Sequence, residues 1–234
     1  MGLETAPRPG SKIPLAGIKL FLTRWWSHLP READKHANQS VRLSLPGWKE
    51  EAQRSGLREW RDPDGDLLSL AEGAIDYPFA AVEVEQQRWC REFAQSCGGG
   101  LIEVRSFGCG IGQADCFVYK QLQLPAYIYI GMLIIRAQAK ILTWTVLAGE
   151  RGVTGMREAA VTASLLNEGK LTFTSYRDSW AKDPYEPTYR GVDQSVRRFM
   201  SDDEGYDQQF PQHPLSKVRR VIAELPRSVK LEAI

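Results

Sequence analysis

The sequence predicts an α+β fold in which an antiparallel β-sheet is packed with helices. Strand-like alternation of apolar and polar residues begins near residue 40, and one helical stretch separates it from a second group of strand-like segments. The connections between those segments are short. Short connections favour antiparallel neighbours, because parallel strands need a crossover of a dozen or more residues. Helices set apart from an antiparallel sheet define the α+β class.

The composition is that of a globular chain of 234 residues, 43% of them apolar and 25% charged. This is enough apolar sequence for one core with appendages. There are 30 basic residues and 29 acidic residues, which gives a net charge of +1. Because proteins that neutralise phosphates usually have a clear excess of Lys and Arg, we expect no nucleic-acid partner.

Residues 1–39 are predicted to lie outside the sheet domain as a tail, an amphipathic helix and a linker. Apolar side chains recur at helical spacing from Leu15 to Trp25. Trp25 and Trp26 are adjacent and point in different directions, so one core can hardly bury both. Three roles of this helix stay open: packing on the following domain, docking to a partner protein, and peripheral membrane contact through residues 13–26.

No targeting or membrane-spanning segment is predicted. Lys19 and Arg24 interrupt the apolar stretch of residues 13–26, and no small-residue cleavage site follows it. The other apolar run, residues 126–135, has about half the length that a bilayer-spanning helix needs. We therefore expect a cytoplasmic location.

Two strand signals open the sheet domain. Apolar residues alternate with polar ones in residues 41–45, and Pro46 and Gly47 end the alternation. A hairpin is predicted at residues 57–71, around the turn Asp-Pro-Asp-Gly at residues 62–65. In such a turn, Pro presets one backbone dihedral angle and Gly supplies the positive one.

A long helix is predicted at residues 82–97. Apolar side chains follow the helical period there, acidic residues occupy the first turn, and three glycines end it. Three or four strands follow, in residues 101–107, 115–124, 127–135 and 140–148. A second helix is predicted at residues 156–166, with Thr154 as its cap. We expect these two helices to cover the sheet.

The order of these elements and one short sequence motif are similar to those of a known superfamily. The sequence LSLPGW at residues 43–48 precedes the hairpin turn, and the long helix and the antiparallel meander then lead into the final helix. Residues 40–169 resemble the PsbP/DcrB-like superfamily, named for a photosystem extrinsic protein and a bacterial protein group. The resemblance implies an α/β/α sandwich with N- and C-terminal extensions. It also implies a scaffold used mostly for binding, as in adaptors, secretion chaperones and accessory subunits.

The C-terminal extension, residues 170–234, is predicted to wrap the core. Residues 180–189 contain an aromatic loop made rigid by two prolines, and residues 214–225 show the apolar spacing of an amphipathic helix. Asp202 and Asp203 belong to an acidic patch between them. A basic partner and a solvated loop both remain open as explanations of this patch.

Catalytic motifs are absent from the sequence. It has no nucleophile elbow, no phosphate-binding P-loop and no zinc-hydrolase motif. Adjacent carboxylates such as Asp202 and Asp203 usually stay solvated in polar segments, where their pKa values do not separate. Glu150 and Glu158, near the second helix, are interpreted with their basic neighbours as surface and capping pairs. We therefore expect no enzymatic activity.

No metal ion and no cofactor are expected. Asp62, Asp64 and Asp66 imitate the start of a calcium loop, but no glutamate follows at the required distance, which favours the hairpin turn. The four cysteines are too few and too widely spaced for a disulfide framework. The histidines form no pair with a cysteine at the usual zinc-ligand spacing. They are His28, His36 and His213.

The glycine-rich residues 108–112 supply the alternative function. Backbone N–H groups between Gly108 and Gly112 would cradle an anion, although this turn leads into a strand rather than a helix. Cys109 or Cys116 would become a nucleophile if a base lay near it in space. The alternative is therefore a small-molecule-binding protein or an enzyme with a pocket at this turn.

Aromatic side chains are the remaining functional signal. The chain has seven tryptophans and eight tyrosines, and these side chains often anchor interfaces. We therefore predict a non-enzymatic protein-binding module: a chaperone, adaptor or accessory subunit of a larger assembly, such as one for secretion. The candidate partner-binding residues are Trp25, Trp26, Tyr127, Tyr129, Tyr185, Asp202 and Asp203.

Overall fold

A computed structural model describes residues 39–54, 56–73, 77–79, 81–137 and 140–233, which form a seven-stranded antiparallel sheet with helices on both faces. The strands of the sheet are β2 (Lys49–Arg54), β3 (Leu57–Arg61), β4 (Leu67–Glu72), β5 (Gly100–Cys109), β6 (Gly112–Gln123), β7 (Ala126–Ala137) and β8 (Lys140–Gly149). Their order across the sheet is β2-β3-β4-β8-β7-β6-β5. The α+β class predicted from the sequence is confirmed.

The helices and two small ribbons complete the described chain. The helices are α1 (Glu83–Ser96), α2 (Met156–Asn167), α3 (Tyr176–Ser179) and α4 (Pro214–Ser228). The ribbons pair β1 (Gln39–Leu43) with β11 (Val229–Ala233), and β9 (Ala181–Lys182) with β10 (Arg198–Phe199). No helix in these residues combines the length and the apolar content needed to cross a membrane.

One face of the sheet is covered by α1 and the other by α4. On the α1 face, Cys90 and Ala94 share a buried cluster with Phe117 of β6. On the α4 face, Val218 and Leu225 join a separate buried cluster that includes strands β6, β7 and β8. Because both faces are covered, the central strands are apolar at successive positions rather than at alternate ones.

The prediction that the helix at residues 156–166 covers the sheet is wrong. This helix, α2, packs through Val161 and Leu165 against Trp180 and Phe199, beside the sheet. The helix that covers the second face of the sheet is α4. Its apolar side chains are buried along most of the helix, from Pro214 to Leu225. The C-terminal segment therefore supplies half of the helical cover of the sheet.

Thr154 does not cap α2, contrary to the sequence prediction. The capping position is Gly155, which has a φ of 73° and offers no side chain. A left-handed backbone of this kind favours glycine. The Gly155 N–H group donates instead to Glu150 Oε1 at 2.8 Å.

Two strands have sequences that give little strand signal. β2 reads Lys-Glu-Glu-Ala-Gln-Arg, which has low β-propensity, and it lies at an edge of the sheet where charged residues suit exposure. β11 follows α4 directly and pairs with β1. The predicted first strand therefore exists, but it lies in a separate ribbon and not in the main sheet.

Arg157 fixes the C-terminal segment to the core. Its side chain is fully buried, and its Nε donates to Ser201 O at 2.6 Å and its Nη2 to Asp203 O at 2.8 Å. Its Nη1 donates to Asp207 Oδ1 and to Ser216 Oγ, both at 2.9 Å. One guanidinium thus joins α2, residues 201–207 and α4.

Removing the Arg157 guanidinium should destabilise the whole chain. We expect Arg157→Met to lower the free energy of unfolding by about 3–5 kcal/mol, because buried acceptors lose a charged donor. Urea denaturation followed by circular dichroism measures this change. Arg220→Met is the control, since Arg220 is exposed and should change stability by at most about 0.5 kcal/mol. Equal effects of the two substitutions would contradict the role given to Arg157.

Gly131 sets the closeness of α4 to the sheet. A Cβ atom there would lie 2.5 Å from Val218 Cγ1 and 2.4 Å from Ile222 Cδ1. We expect Gly131→Ala to lower the free energy of unfolding by about 1–3 kcal/mol through overpacking. Gly108→Ala is the matched control, because a Cβ at this strand glycine meets nothing within 4 Å. Denaturation curves in which both variants match the wild type would refute this packing.

Candidate functional site

The predicted partner-binding tyrosines of β7 take part in internal packing. Tyr127 is half-buried, its hydroxyl donates to Ser195 O at 2.9 Å, and its ring meets Phe199 edge-on at 5.8 Å. Tyr129 is fully buried, and its hydroxyl lies 3.5 Å from Glu158 Oε1. Tyr129 therefore offers no surface to a partner. Trp25 and Trp26 lie outside the described residues.

Tyr185 closes the edge of the sheet at β5. Its hydroxyl accepts from Val104 N at 2.6 Å and donates to Val104 O at 3.1 Å. These are backbone groups that another strand would otherwise bind. The preceding Asp183 accepts from Arg91 Nε at 2.8 Å and from its Nη2 at 2.9 Å, and this buried pair holds the loop against α1.

Asp202 and Asp203 have different surroundings. Asp202 is buried, and its Oδ2 accepts from Lys120 Nζ at 2.6 Å and from Phe199 N at 2.7 Å. Burial lowers the pKa of Lys120, and the Asp202 charge opposes this shift. Asp203 is exposed and forms an ion pair with Arg198 at 3.1 Å. Of this acidic pair, Asp203 alone faces solvent.

The C-terminal segment forms a concave surface that we call the aromatic groove. It has a volume of about 620 Å³. The rings of Trp180 and Phe199 stack at 5.7 Å along it, and Tyr176 stacks on Trp180 at 5.4 Å. The lining residues with apolar or aromatic character are Trp180, Pro184, Pro187, Phe199, Met200 and Tyr206, and the charged ones are Lys182, Asp183, Arg198 and Asp203.

A cavity of about 420 Å³ lies beside the glycine-rich turn, between β5 and the end of α4. Cys109 and Cys116 both line it. The Cys109 thiol donates to Gly112 O at 3.2 Å. Burial raises the pKa of Cys116 to about 12, so this thiol stays protonated at neutral pH and is a poor nucleophile.

A third cavity, of about 540 Å³, lies between the end of β8 and the start of α4, and Glu150 and His213 line it. His213 Nε2 lies 4.0 Å from Glu150 Oε1 and 3.9 Å from Glu158 Oε1. Sequence reasoning missed this cluster, because its members come from distant positions. Glu150 and Glu158 are largely buried rather than surface pairs, with 5% and 15% of their side chains exposed.

The aspartates that imitate a calcium loop surround a lysine. Lys217 Nζ lies 2.5 Å from Asp64 Oδ2, 2.7 Å from Asp66 Oδ2 and 3.5 Å from Asp62 Oδ2. The ammonium group thus occupies the centre of the three carboxylates. Burial raises the pKa of Asp66, and the Lys217 contacts oppose this shift.

Comparisons with known proteins give partial likeness to solved structures. Neither a family model nor a curated protein matches the chain. The Ran-binding protein Mog1p of Saccharomyces cerevisiae is similar to 56% of this chain over 79% of its own, at 9% identity and a TM-score of 0.36. A point variant of protein Mog1 is similar to 53% of this chain over 78% of its own, at 8% identity and a TM-score of 0.35. LpqN of Mycobacterium tuberculosis, which is involved in cell envelope biogenesis, is similar to 58% of this chain over 82% of its own. The identity is 12% and the TM-score is 0.27. At these values the likeness assigns no function.

Proposed function

We propose that this protein is a non-enzymatic binding module that holds an extended segment of another protein in the aromatic groove. The observation that carries the proposal is the partly exposed apolar lining of the groove, which lies over the buried stack of Trp180 and Phe199. The lining residues that keep exposed surface are Pro184, Pro187, Met200 and Tyr206. Prolines and a tyrosine edge suit an apolar polypeptide, because they offer apolar area and lose little side-chain entropy on binding.

The charges of the groove indicate the chemistry of its partner. Arg198 is paired with Asp203, and Asp183 with Arg91. Lys182 is exposed, and no carboxylate of the described chain lies within 4 Å of its ammonium group. A partner segment with apolar residues next to an acidic residue would therefore complement the groove.

The groove is held in shape before any partner binds. The buried Arg91–Asp183 pair fixes the side that carries Pro184, and the buried Lys120–Asp202 pair fixes the side that carries Met200. A preformed surface loses less entropy on binding than a loop that must first become ordered. The fixed shape of the groove therefore supports a role of these residues in binding a partner.

The role that fits such a groove is that of an adaptor, chaperone or accessory subunit in the cytoplasm. The resemblance of residues 40–169 to the PsbP/DcrB-like superfamily supports the same class, because those scaffolds serve mostly in binding. The partner is another protein rather than a nucleic acid or a membrane. The groove replaces Tyr129 and Asp202 as the basis for this proposal, since both residues are buried.

The cavity beside the glycine-rich turn favours the alternative, a small-molecule-binding protein. Its volume of about 420 Å³ is within the range of ligand sites. However, Arg105 and Arg219 at its rim both form ion pairs with Glu103, which leaves Arg227 as the lining arginine without an ion pair in the described chain. Native mass spectrometry decides between the two proposals, since a copurified metabolite at one per chain would favour the cavity.

Selection of random peptides displayed on phage against the immobilised full chain tests the groove. We expect enrichment of apolar peptides with an acidic residue. Met200→Glu should weaken binding of a selected peptide at least about tenfold, because it places a charge beside the aromatic stack. Lys182→Glu should reverse the preference for acidic residues. Fluorescence anisotropy of the labelled peptide measures both effects.

Val84→Glu is the matched control for these variants. Val84 is an apolar residue of α1 with 72% of its surface exposed, and it does not line the groove. It should leave peptide affinity within about twofold of the wild type. The proposed function fails if no peptide is enriched, or if selected peptides bind the Met200→Glu variant as tightly as the wild type.

A further inference from the structure

Three side chains with metal-binding chemistry meet beside the 540 Å³ cavity, and two of them, Glu150 and His213, line it. Glu150 directly follows β8, Glu158 lies in the first turn of α2, and His213 directly precedes α4. One ligand atom from each residue lies within 4.8 Å of the other two. The fold therefore brings together two carboxylates and an imidazole that no local sequence motif connects.

Neither carboxylate forms an ion pair with a lysine or arginine of the described chain. Among the residues that the structure describes, no lysine or arginine nitrogen lies within 4 Å of Glu150 or Glu158. The nearby cations are engaged elsewhere, Lys120 with Asp202 and Arg157 with Asp207. Two close, buried carboxylates repel each other and lose hydration, so they require a positive charge or a proton.

Two atoms of the cluster have no hydrogen-bond partner within the described chain. They are His213 Nε2 and Glu158 Oε2, and both are buried. The His213 side chain is 8% exposed, and its Nε2 is directed at both carboxylates. Buried polar atoms are almost always paired, so an unpaired imidazole nitrogen that faces two carboxylates indicates a missing ligand.

Glu150 is positioned for coordination by the backbone. Its Oε1 accepts from Gly155 N at 2.8 Å, and its Oε2 accepts from Tyr127 N at 2.9 Å. Hydrogen bonds of this kind orient the carboxylates of metal sites and limit their movement.

We infer that Glu150, Glu158 and His213 bind one divalent transition-metal ion, with water from the cavity as a further ligand. A mixed set of one imidazole and two carboxylates suits Zn²⁺ better than Ca²⁺ or Mg²⁺, which prefer oxygen ligands alone. Tetrahedral ligands around Zn²⁺ lie about 3.4 Å apart. His213 Nε2 lies 4.0 and 3.9 Å from the two carboxylate oxygens, and the three ligand atoms lie within 4.8 Å of one another, so the side chains must move closer together to hold the ion.

Metal binding also changes the proton on His213. The Nδ1 atom accepts from Leu215 N at 3.2 Å, so the neutral ring carries its hydrogen on Nε2. Coordination through Nε2 displaces that proton to solvent, and Nδ1 takes one up, which keeps the imidazole neutral. The Leu215 N–H group then loses its acceptor. The amide resonance of Leu215 is therefore a direct reporter of coordination.

Titration of the full chain with ZnCl₂, followed by isothermal calorimetry, tests the site. We expect calorimetry to give one Zn²⁺ per chain. We also expect an NMR spectrum recorded with ZnCl₂ to show a shift of the Leu215 amide resonance. Glu158→Gln and His213→Asn should each weaken binding about 100-fold or more, because each removes a ligand. His213→Asn keeps the helix cap, since Asn also accepts from the first-turn backbone, so a folding defect does not confound it.

Asp64→Asn is the matched control, because it alters the other carboxylate cluster, whose centre Lys217 already occupies. It should leave Zn²⁺ affinity within about twofold of the wild type. The absence of stoichiometric binding would overturn the inference and indicate that a proton neutralises the cluster. Binding that survives both ligand substitutions would overturn it as well. Neither result bears on peptide binding in the aromatic groove, which is a separate surface.

Discussion

Two buried cations, Lys120 and Arg157, bind residues 201–207 to the end of the sheet, and the rest of the C-terminal architecture depends on them. Both side chains are fully buried, so each must keep its acceptors or leave an unpaired charge in the interior. Those acceptors lie in residues 201–207 and in α4. The aromatic groove, the cavity beside His213 and the position of α4 on the sheet therefore all border residues that these two cations hold.

Local periodicity was sufficient to predict much of the fold. The alternation in residues 57–71 and the helical spacing in residues 82–97 depend on neighbours in the sequence, and the structure has a hairpin and a helix there. The cover of the second face depends on a distant segment instead. Both α2 and α4 are amphipathic, and no local pattern states which of them packs on the sheet. Strand β2 escaped prediction because an edge strand can be formed by polar residues whose own propensity is low.

The candidate sites show a different limit of sequence reasoning. Tyrosine anchors an interface between proteins and a contact within one protein by the same chemistry, so the sequence alone could not show that Tyr185 binds Val104 or that Tyr129 is buried. Glu150 and Glu158 resembled surface pairs because arginines stand beside them in the sequence. The structure turns the Arg157 side chain inward to residues 201–207, which leaves the carboxylates facing His213.

The hydroxyl of Tyr185 on the backbone of Val104 has a consequence for how this chain joins others. Tyr185 occupies the edge-facing backbone groups of Val104 in β5, and β2 at the opposite border is built mostly from charged residues. Both features oppose pairing with a strand from a second molecule. Growth by main-chain pairing, which leads to swapped dimers and fibrils, is discouraged at both ends. Side-chain surfaces, where recognition can be selective, are then favoured over the main chain for any contact with a second molecule.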